Sequence, residues 1–406
     1  QEEVLREALL RGVRAARAGS AEQRRLIARW NSEVPVSNAR RFPPPPPGAM
    51  PIVLLVYERS SYLEVALRLL SLCGGINGTT LVVSHQGTHD DVWQLVSRVG
   101  FVRVRQLLYP LAEHPDLHGA LALKLHFTWA LARTFALLEA DEVVYMEDDF
   151  WPTPDFYASA LRLRAARELH CPKCAGSVLG DHPRDWHERH RDGAHWLDPA
   201  TRALLHRPYV GCNYNSPAGM TLPSRAWSTI RQSAATYCDR TVNAYDDAIH
   251  ALQNTPPARH QAAGTAGASL PPRALEPGWL TNSYPRCVHV GRCGGLSFRL
   301  EAALGSAEAA AACNVTRDAL DFAAVWVAPW RRGGPFSGKP KASATPPADA
   351  RRQWRIDEGV RLCRERFTPA AAGADRVVNL VGVARSNRTS ARGEELCLTI
   401  LRTGNV

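Results

Sequence analysis

Between residues 51 and 149, strand-like and helix-like segments alternate and are joined by short links. The strand-like segments are continuous apolar runs, which are typical of strands that are buried on both faces. This alternation predicts a parallel sheet with helices packed on its faces. The chain is therefore expected to have an α/β fold, with strands at 51–58, 79–85, 101–109 and 142–149 and helices at 61–73, 89–99 and 119–139.

The last of these strands runs into three adjacent carboxylates, Glu147, Asp148 and Asp149. Neighbouring negative charges repel one another, and aspartate is depleted in strands. In parallel sheets, ligands bind beyond the carboxyl ends of the strands, where this triplet would lie. A hard divalent cation prefers oxygen ligands and would offset the repulsion, and it would also help a diphosphate to leave. The ordinary alternative is a solvated acidic turn, and both interpretations stay open at this point.

Composition limits the kinds of partner that the chain can have. Its 406 residues suffice for one large or two medium domains, and 45% hydrophobic with 22% charged residues is typical of a folded core. The net charge of +10 comes mainly from dispersed arginine, without a compact basic block interleaved with aromatics. Nucleic-acid binding is therefore not expected, whereas nucleotide phosphates and anionic membrane surfaces suit the charge.

Ten cysteines and three glycosylation sequons, at Asn77, Asn314 and Asn387, favour the oxidising lumen of the secretory pathway. Cys171-Pro-Lys-Cys174 could form half of a zinc site, but no second CxxC or matching histidine pair follows at zinc-finger spacing. No apolar run reaches the roughly 18 residues that a membrane span requires. A spanning helix is therefore not predicted within the sequence.

The second half has weaker patterns. Residues 181–207 are predicted to be a loop, and within them the stretch 181–196 contains four histidines without an HExxH frame, so an exposed loop is favoured over a second metal site. Residues 255–277 are rich in Pro, Ala and Gly and are also predicted to be a loop. In the tail, a short helix is expected at 352–366 and a strand at 376–383.

Several stretches resemble, in the same order, the Golgi β-1,2-N-acetylglucosaminyltransferases, and within them most closely the N-acetylglucosaminyltransferase II family. They are LVYERSSYL, VVSHQG, KLHFTWA, the strand with its acidic triplet followed by PDFY, CPKC, and PRCVHVGRCG. The resemblance extends in patches from about residue 50 to about residue 366. It implies a glycosyltransferase A-type α/β fold, with a Rossmann-like, mainly parallel sheet flanked by helices.

The resemblance also implies an activity, which is inverting, metal-dependent transfer of GlcNAc from UDP-GlcNAc to the 2-hydroxyl of a mannose in N-glycan maturation. Mn²⁺ would bind Asp149 and His289, although a lone histidine is ordinarily a buried, hydrogen-bonded one. Where the family has an aspartate near the uracil, this chain has Gln86, so that His85 or Asp90 could take that role instead. The residues expected to hold the nucleotide sugar are Arg59, Gln86, Lys124, Glu147 and Asp148.

Inversion needs a general base for the acceptor hydroxyl, and a carboxylate can accept that proton. In NAYDDAIHAL, Tyr245 opens an amphipathic helical pattern, and acidic residues in a first turn ordinarily complement the helix dipole. The family's base follows an aromatic residue downstream of a disulfide cysteine, and Cys238, Tyr245 and Asp246 reproduce that spacing. The resemblance therefore implies that Asp246 is the base, with Asp247 as the second candidate. Tyr245 is a departure, because the family has tryptophan there.

The remaining expectations concern organisation and compartment. Four parts are predicted: a stem helix and Pro-rich linker at 1–47, a nucleotide-sugar-binding α/β half at 48–180, an acceptor-binding and catalytic-base half at 181–335, and a C-terminal linker and tail at 336–406. The resemblance implies a Golgi lumenal, type II membrane protein, held by an N-terminal anchor outside the given sequence. It also implies the disulfides Cys171–Cys174, Cys238–Cys363 and Cys293–Cys313, with Cys212–Cys287 compatible and Cys73 and Cys397 left over.

Two alternatives stay open. One keeps the fold but uses a different nucleotide-sugar donor or glycan acceptor, because nothing in the residues fixes the donor's stereochemistry. The other is a non-catalytic, glycan-binding lumenal protein whose acidic triplet only binds metal. Release of UDP driven by an acceptor glycan would distinguish an enzyme from this binding protein.

Overall fold

The computed structural model describes residues 2–33, 36–110, 119–181, 208–211, 219–238, 245–254, 278–282, 286–290, 315, 319 and 391–403. Its strands are, in chain order, β1 (Ile52–Val56), β2 (Thr80–His85), β3 (Arg103–Leu108), β4 (Glu142–Glu147), β5 (Phe150–Pro152), β6 (Gly176–Val178), β7 (Gly180–Asp181), β8 (Pro208–Gly211), β9 (Met220–Pro223), β10 (Trp279–Asn282) and β11 (Cys287–His289). Eight of them form one sheet in the order β3-β2-β1-β4-β9-β6-β10-β8, and the other three form a small sheet in the order β5-β11-β7.

The first four strands form the parallel part of the main sheet. β1 pairs with β2 and with β4, and β2 pairs with β3, all in parallel. All residues of β1 and β2 are buried, as their continuous apolar runs predict. Beyond β4 the sheet is mixed, because β9 runs antiparallel to both β4 and β6. The predicted α/β class with a mainly parallel sheet is confirmed, and each of the four predicted strands is found.

Helices flank the sheet. They are α1 (Glu2–Ala15), α2 (Ala21–Glu33), α3 (Ser60–Leu70), α4 (Asp90–Ser97), α5 (Gly119–Leu138), α6 (Phe156–His170), α7 (Ser224–Gln232), α8 (Ala234–Tyr237), α9 (Tyr245–Asn254) and α10 (Ala391–Thr403). By length and composition α5 could cross a membrane, which the sequence analysis did not anticipate. However, Leu125, Phe127 and Trp129 are all buried, so α5 is a core helix of this fold.

α1 and α2 form a helical hairpin that covers the outer edge of β3. An apolar cluster joins the hairpin to the sheet and to α4, and it contains Leu9, Leu10, Val13, Ile27, Trp30, Trp93 and Leu108. The helical character predicted for residues 1–40 is confirmed, but it is divided between two helices. The hairpin packs directly on the α/β sheet, and the division of the chain into four parts stays a prediction.

The small sheet carries a residue from late in the chain to the end of β4. β11 pairs antiparallel with β5 and parallel with β7. In this register His289 lies opposite Phe150, and the backbone N–H of Val290 donates to the carbonyl of Asp149 at 2.9 Å. Main-chain pairing thus fixes His289 beside Asp149, although 140 residues separate them in sequence.

Two disulfides lie within the described residues. Cys171–Cys174 is confirmed, and the zinc interpretation of this motif is wrong because both sulfurs are in the disulfide. The second disulfide joins Cys238 to Cys397. The implied Cys238–Cys363 pair and the unpaired Cys397 are therefore wrong. The reason is tertiary, since α10, which carries Cys397, packs against α8 and brings its sulfur to the end of that helix.

Two cysteines in the described parts of the chain are free thiols. Cys73 is buried and free, as expected. Cys287 is also buried and free, so the compatible pairing with Cys212 is wrong. Other predictions fall on residues that the structure does not describe: the loops at 182–207 and 255–277, the tail elements at 352–366 and 376–383, and the Cys293–Cys313 pair.

Candidate functional site

The candidate site lies in the crevice beyond the carboxyl ends of β1 and β4. β1 has β2 on one side and β4 on the other, so the strand order reverses beside it, and open α/β sheets bind ligands at such switch points. After β1, Arg59 is the N-cap residue of α3. After β4, which ends at Glu147, Asp148 and Asp149 form a turn that leads into β5. Two neighbouring strands therefore deliver an arginine and three carboxylates to one place.

Arg59 is the cation that the structure places against the acidic triplet. Its Nη1 donates a hydrogen bond to Asp149 Oδ2 at 2.7 Å, and its Nη2 donates to Asp148 Oδ1. Both aspartate side chains are only 3% exposed, so water cannot solvate their charges. Because an unpaired buried charge is costly, the guanidinium makes the two adjacent aspartates tolerable.

Asp149 also contacts His289, the second metal ligand that the resemblance implies. His289 Nε2 lies 3.2 Å from Asp149 Oδ2. The other oxygen, Asp149 Oδ1, is buried and has no hydrogen-bond partner among the described residues. A buried carboxylate oxygen of this kind, next to an imidazole nitrogen, fits a divalent cation with mixed oxygen and nitrogen ligands.

Two protein ligands leave most positions around such an ion to other molecules. The described parts of the chain contain no cluster of three His, Cys, Asp or Glu side chains placed to hold a metal. An ion with few protein ligands suits a site where water and substrate phosphates supply the rest, as Mg²⁺ does in phosphate-transferring enzymes. The pair Asp149 and His289 therefore fits a cation that binds together with a diphosphate.

Glu147 is held by two tyrosine hydroxyls. Tyr145 and Tyr245 both donate to its Oε1, at 2.8 Å and 2.7 Å. Phe127 stacks on the Tyr245 ring with centroids 4.1 Å apart. These contacts join the end of β4 to the first turn of α9, where Asp246 lies. This role of the tyrosines was not predicted from the sequence, although Tyr145 and Glu147 are two residues apart in a strand and so share one face.

The three carboxyl groups have different pKa values, because burial, mutual repulsion and nearby positive charges act on them to different extents. Burial, with the nearby charge of Asp149, raises the pKa of Glu147 to about 7. Burial also raises the pKa of Asp148 to about 6, although Arg59 opposes the shift. At Asp149 burial acts in the same direction, but His289 and Arg59 outweigh it and hold the pKa below its ordinary value. Asp149 is therefore the member of the triplet whose carboxylate is most firmly ionised near neutral pH, and it is the best placed of the three to attract a cation.

Lys124 and Asp246 share a neighbour, the buried Tyr237 at the end of α8. Lys124 is only 1% exposed, and its Nζ lies 5.0 Å from the centroid of the Tyr237 ring. Burial raises the pKa of Tyr237, and the negative charge of Asp246 raises it further, so Asp246 lies close to this ring. Asp246 itself is half-buried. The structure thus brings the predicted base and the predicted nucleotide-sugar lysine to one tyrosine between α5 and α9.

Three residues were candidates for contact with the nucleobase. His85 is buried, and its Nε2 lies 3.0 Å from Gln106 Oε1. Asp90 forms an exposed ion pair with Arg14 of α1. Gln86 directly follows β2 and is half-buried at the carboxyl end of the sheet. Since burial encloses His85 and an ion pair engages Asp90, Gln86 is the best placed of the three.

Comparison with known proteins gives a consistent result. The chain matches the family model of N-acetylglucosaminyltransferase II (MGAT2) over residues 24–119. It is 23% identical over 240 residues to the α-1,6-mannosyl-glycoprotein 2-β-N-acetylglucosaminyltransferase of Arabidopsis thaliana, covering 50% of this chain and 52% of the relative. For the protein of that name from Sus scrofa, the identity is 22% over 272 residues, covering 55% and 56%. The chain spans about half the length of these curated relatives, and the resemblance that the motifs predicted is confirmed.

Solved structures with a similar chain course include two that contain a nucleotide. The mannosyltransferase PcManGT from Pyrobaculum calidifontis, in complex with GDP-Man and Mn²⁺, has a TM-score of 0.36 and 14% identity, over 99% of this chain and 97% of its own. TarS of S. aureus, residues 1–349 in complex with UDP, has a TM-score of 0.36 and 9% identity, over 59% and 60%. Both TM-scores indicate only a distant similarity in the course of the chain.

Proposed function

We propose that this protein is a glycosyltransferase of the A-type fold that transfers GlcNAc from UDP-GlcNAc to the 2-hydroxyl of a mannose in an N-glycan, with inversion at the anomeric carbon. The observation that carries the proposal is the meeting of Arg59, Asp149 and His289 in the crevice between β1 and β4. The likeness to N-acetylglucosaminyltransferase II proteins over about half their length supports the choice of sugar and acceptor.

The donor's diphosphate would bind at the start of α3. Arg59 is the N-cap residue of that helix, and free N–H groups of a first helical turn attract phosphate oxygens. Asp149 and His289 would hold Mn²⁺, which supplies Lewis-acid stabilisation of the departing diphosphate. Gln86 would lie near the base, and Glu147 and Asp148 near the ribose or the transferred sugar. Lys124, beneath Tyr237, would help to shape the sugar pocket.

Transfer needs one bond to form as another breaks. The acceptor's 2-hydroxyl oxygen attacks C1 of GlcNAc from the face opposite the phosphate, and the C1–O bond breaks with its electron pair going to UDP. Asp246 would take the proton of the attacking hydroxyl, as a positioned carboxylate can. The hydrogen bond from Tyr245 to Glu147 holds the first turn of α9, and so the backbone of Asp246, against the end of β4.

The proposed setting is the Golgi lumen, with the protein held in the membrane as a type II protein by an N-terminal anchor. The two disulfides among the described residues agree with an oxidising compartment. The partners are then the UDP-GlcNAc donor and a mannose-terminated N-glycan acceptor, and nucleic acid has no part in the activity.

The test is UDP release from UDP-GlcNAc with Mn²⁺. Two acceptors are supplied in parallel: the bare trimannosyl core, and the same core already carrying GlcNAc on its α-1,3 arm. We expect turnover with the second, in which the α-1,3 arm is already occupied and the α-1,6-linked mannose that appears in the relatives' name is still free. No turnover with either acceptor, together with Mn²⁺-dependent UDP binding, would contradict the proposed acceptor. It would point instead to another donor or acceptor, or to a binding protein.

Two variants test the assigned roles. Asp246→Asn should lower turnover at least 100-fold, a typical loss for a general base, and leave UDP binding within about threefold. Asp149→Asn should abolish both turnover and Mn²⁺-dependent UDP binding, because it removes the charged ligand. The matched control is Asp141→Asn, since Asp141 is an exposed aspartate just before the opposite end of β4 and should tolerate the change. Full turnover by Asp246→Asn would show that the base is another residue.

A further inference from the structure

Arg59 and His289 use the same oxygen atom of Asp149. Arg59 Nη1 lies 2.7 Å and His289 Nε2 lies 3.2 Å from Asp149 Oδ2. Arg59 also reaches Asp148, so that a single guanidinium neutralises two carboxylates. A divalent cation on Asp149 and His289 would therefore meet a positive charge held at the same carboxylate. Like charges this close repel strongly in a buried site, because little water screens them.

Arg59 is also attached at the place where an anion would bind. It is the N-cap residue of α3, a helix of 11 residues, and the side chain at this cap makes no hydrogen bond to the helix. Its guanidinium carbon lies 5.6 Å from the centroid of the Tyr62 ring, in the first turn of the same helix. A diphosphate at this helix end would offer the guanidinium a pair of oxygens, the geometry that arginine prefers. The same side chain can thus pair with the carboxylates or with a diphosphate.

We propose that Arg59 is an internal counter-cation that weakens divalent-cation binding at Asp149 until a nucleotide diphosphate draws its guanidinium away. The inference rests on the proposed function for the identity of the diphosphate. It predicts that cation and nucleotide bind cooperatively, since each favours the arrangement in which Arg59 has left Asp149. By linkage, UDP should tighten Mn²⁺ binding by the same factor as Mn²⁺ tightens UDP binding.

The experiment measures Mn²⁺ affinity by calorimetry and by electron paramagnetic resonance of free Mn²⁺, without and with UDP. The proteins are the full chain and its variants Arg59→Gln and Arg59→Lys. Arg68→Gln is the matched control, because Arg68 lies on the same helix, is exposed, and forms an ion pair with Glu64 one turn earlier. It removes the same charge from the protein, so it reports the effect of net charge alone.

We expect Arg59→Gln to bind Mn²⁺ alone at least tenfold more tightly than the unchanged chain, with Arg68→Gln within twofold of it. The tightening of Mn²⁺ binding by UDP should fall from at least tenfold to threefold or less. The double variant Arg59→Gln with Asp149→Asn should lose the tighter Mn²⁺ binding. That loss would show that the additional Mn²⁺ affinity of Arg59→Gln comes from Asp149. Equal or weaker Mn²⁺ binding by Arg59→Gln, or no Mn²⁺ binding by any of the proteins, would overturn the inference.

Loss of Arg59 leaves two buried aspartates without their partner, so Arg59→Gln could fail to fold. Arg59→Lys then decides, because an ammonium keeps the charge but cannot span two carboxylates as a guanidinium fork does. It should bind Mn²⁺ alone at least threefold more tightly than the unchanged chain, and unchanged affinity would overturn the inference. The proposed function is judged separately, by UDP release from UDP-GlcNAc, which the titrations with Mn²⁺ alone do not require.

Discussion

The hairpin of α1 and α2 offers a sharp test of how the sheet edge is stabilised. Asn31 pairs with the outer edge of β3 through both atoms of its amide group. Its Nδ2 donates to the carbonyl of Leu108 at 2.8 Å, and its Oδ1 accepts the backbone N–H of Leu108 at 2.8 Å. Asn31 and Leu108 are both buried. Replacing Asn31 with alanine therefore leaves a buried donor and a buried acceptor of an edge strand without partners.

The size of the effect follows from that burial. An unsatisfied buried polar group costs about 1–3 kcal/mol, so Asn31→Ala should lower the free energy of unfolding by about 2–6 kcal/mol. Asn38→Ala is the matched control. Asn38 makes three hydrogen bonds to the start of the same strand and the residues before it, to Val104, Val102 and Val99, but it is only partly buried. Water can replace those bonds, so the loss there should be about 1 kcal/mol.

The assay is urea unfolding followed by tryptophan fluorescence and by far-ultraviolet circular dichroism. With a slope of about 3 kcal/mol/M, a loss of about 4 kcal/mol lowers the midpoint by about 1.3 M. The midpoint for Asn38→Ala should fall by about a quarter of that. If Asn38→Ala destabilises as much as Asn31→Ala, the number of bonds rather than burial sets the cost, and the reasoning is refuted. If neither variant changes the midpoint, the hairpin is not part of the cooperative unit.

Three further predictions concern the site and its support. Tyr245→Phe keeps the stack on Phe127 but removes the hydroxyl bond to Glu147. Initial rates should show turnover about tenfold lower, as for a lost buried hydrogen bond, with UDP affinity unchanged, and unchanged turnover would contradict the positioning role. Burial lowers the pKa of His85 and of His126 to about 3, so only the unfolded chain binds their protons between about pH 6.5 and pH 3. Their stabilisation is present above pH 6.5 and lost as the pH falls, by about 1.4 kcal/mol per histidine per pH unit, so His126→Gln should flatten the measured dependence by about that amount. Cys397→Ser removes the disulfide between α8 and α10 and should lower the free energy of unfolding by about 2–4 kcal/mol, measured by thermal unfolding. Reduction of the unchanged chain with dithiothreitol should have a similar effect. A variant as stable as the oxidised chain would contradict this.

Local patterns predicted much of the fold. Apolar runs such as Ile52–Val56 gave the parallel strands, because a strand buried on both faces must be apolar throughout. Helical spacing placed the start of α9 at Tyr245, where the structure also has it. The helix α5 shows the limit of such patterns, since a core helix and a membrane span have the same composition and only packing distinguishes them.

The candidate site was predicted in part. The sequence by itself determined that three carboxylates end the strand before Phe150, since strand periodicity and charge are properties of neighbouring residues. Only the tertiary structure decided what those carboxylates meet: Arg59 from the start of α3 after the neighbouring strand β1, the Tyr245 hydroxyl from α9, and His289 through the pairing of β11 with β5. It likewise decided that Cys238 pairs with Cys397 across 159 residues. Contacts between distant segments depend on how helices and strands pack into one core, and that packing leaves no periodic signal in the sequence of either partner.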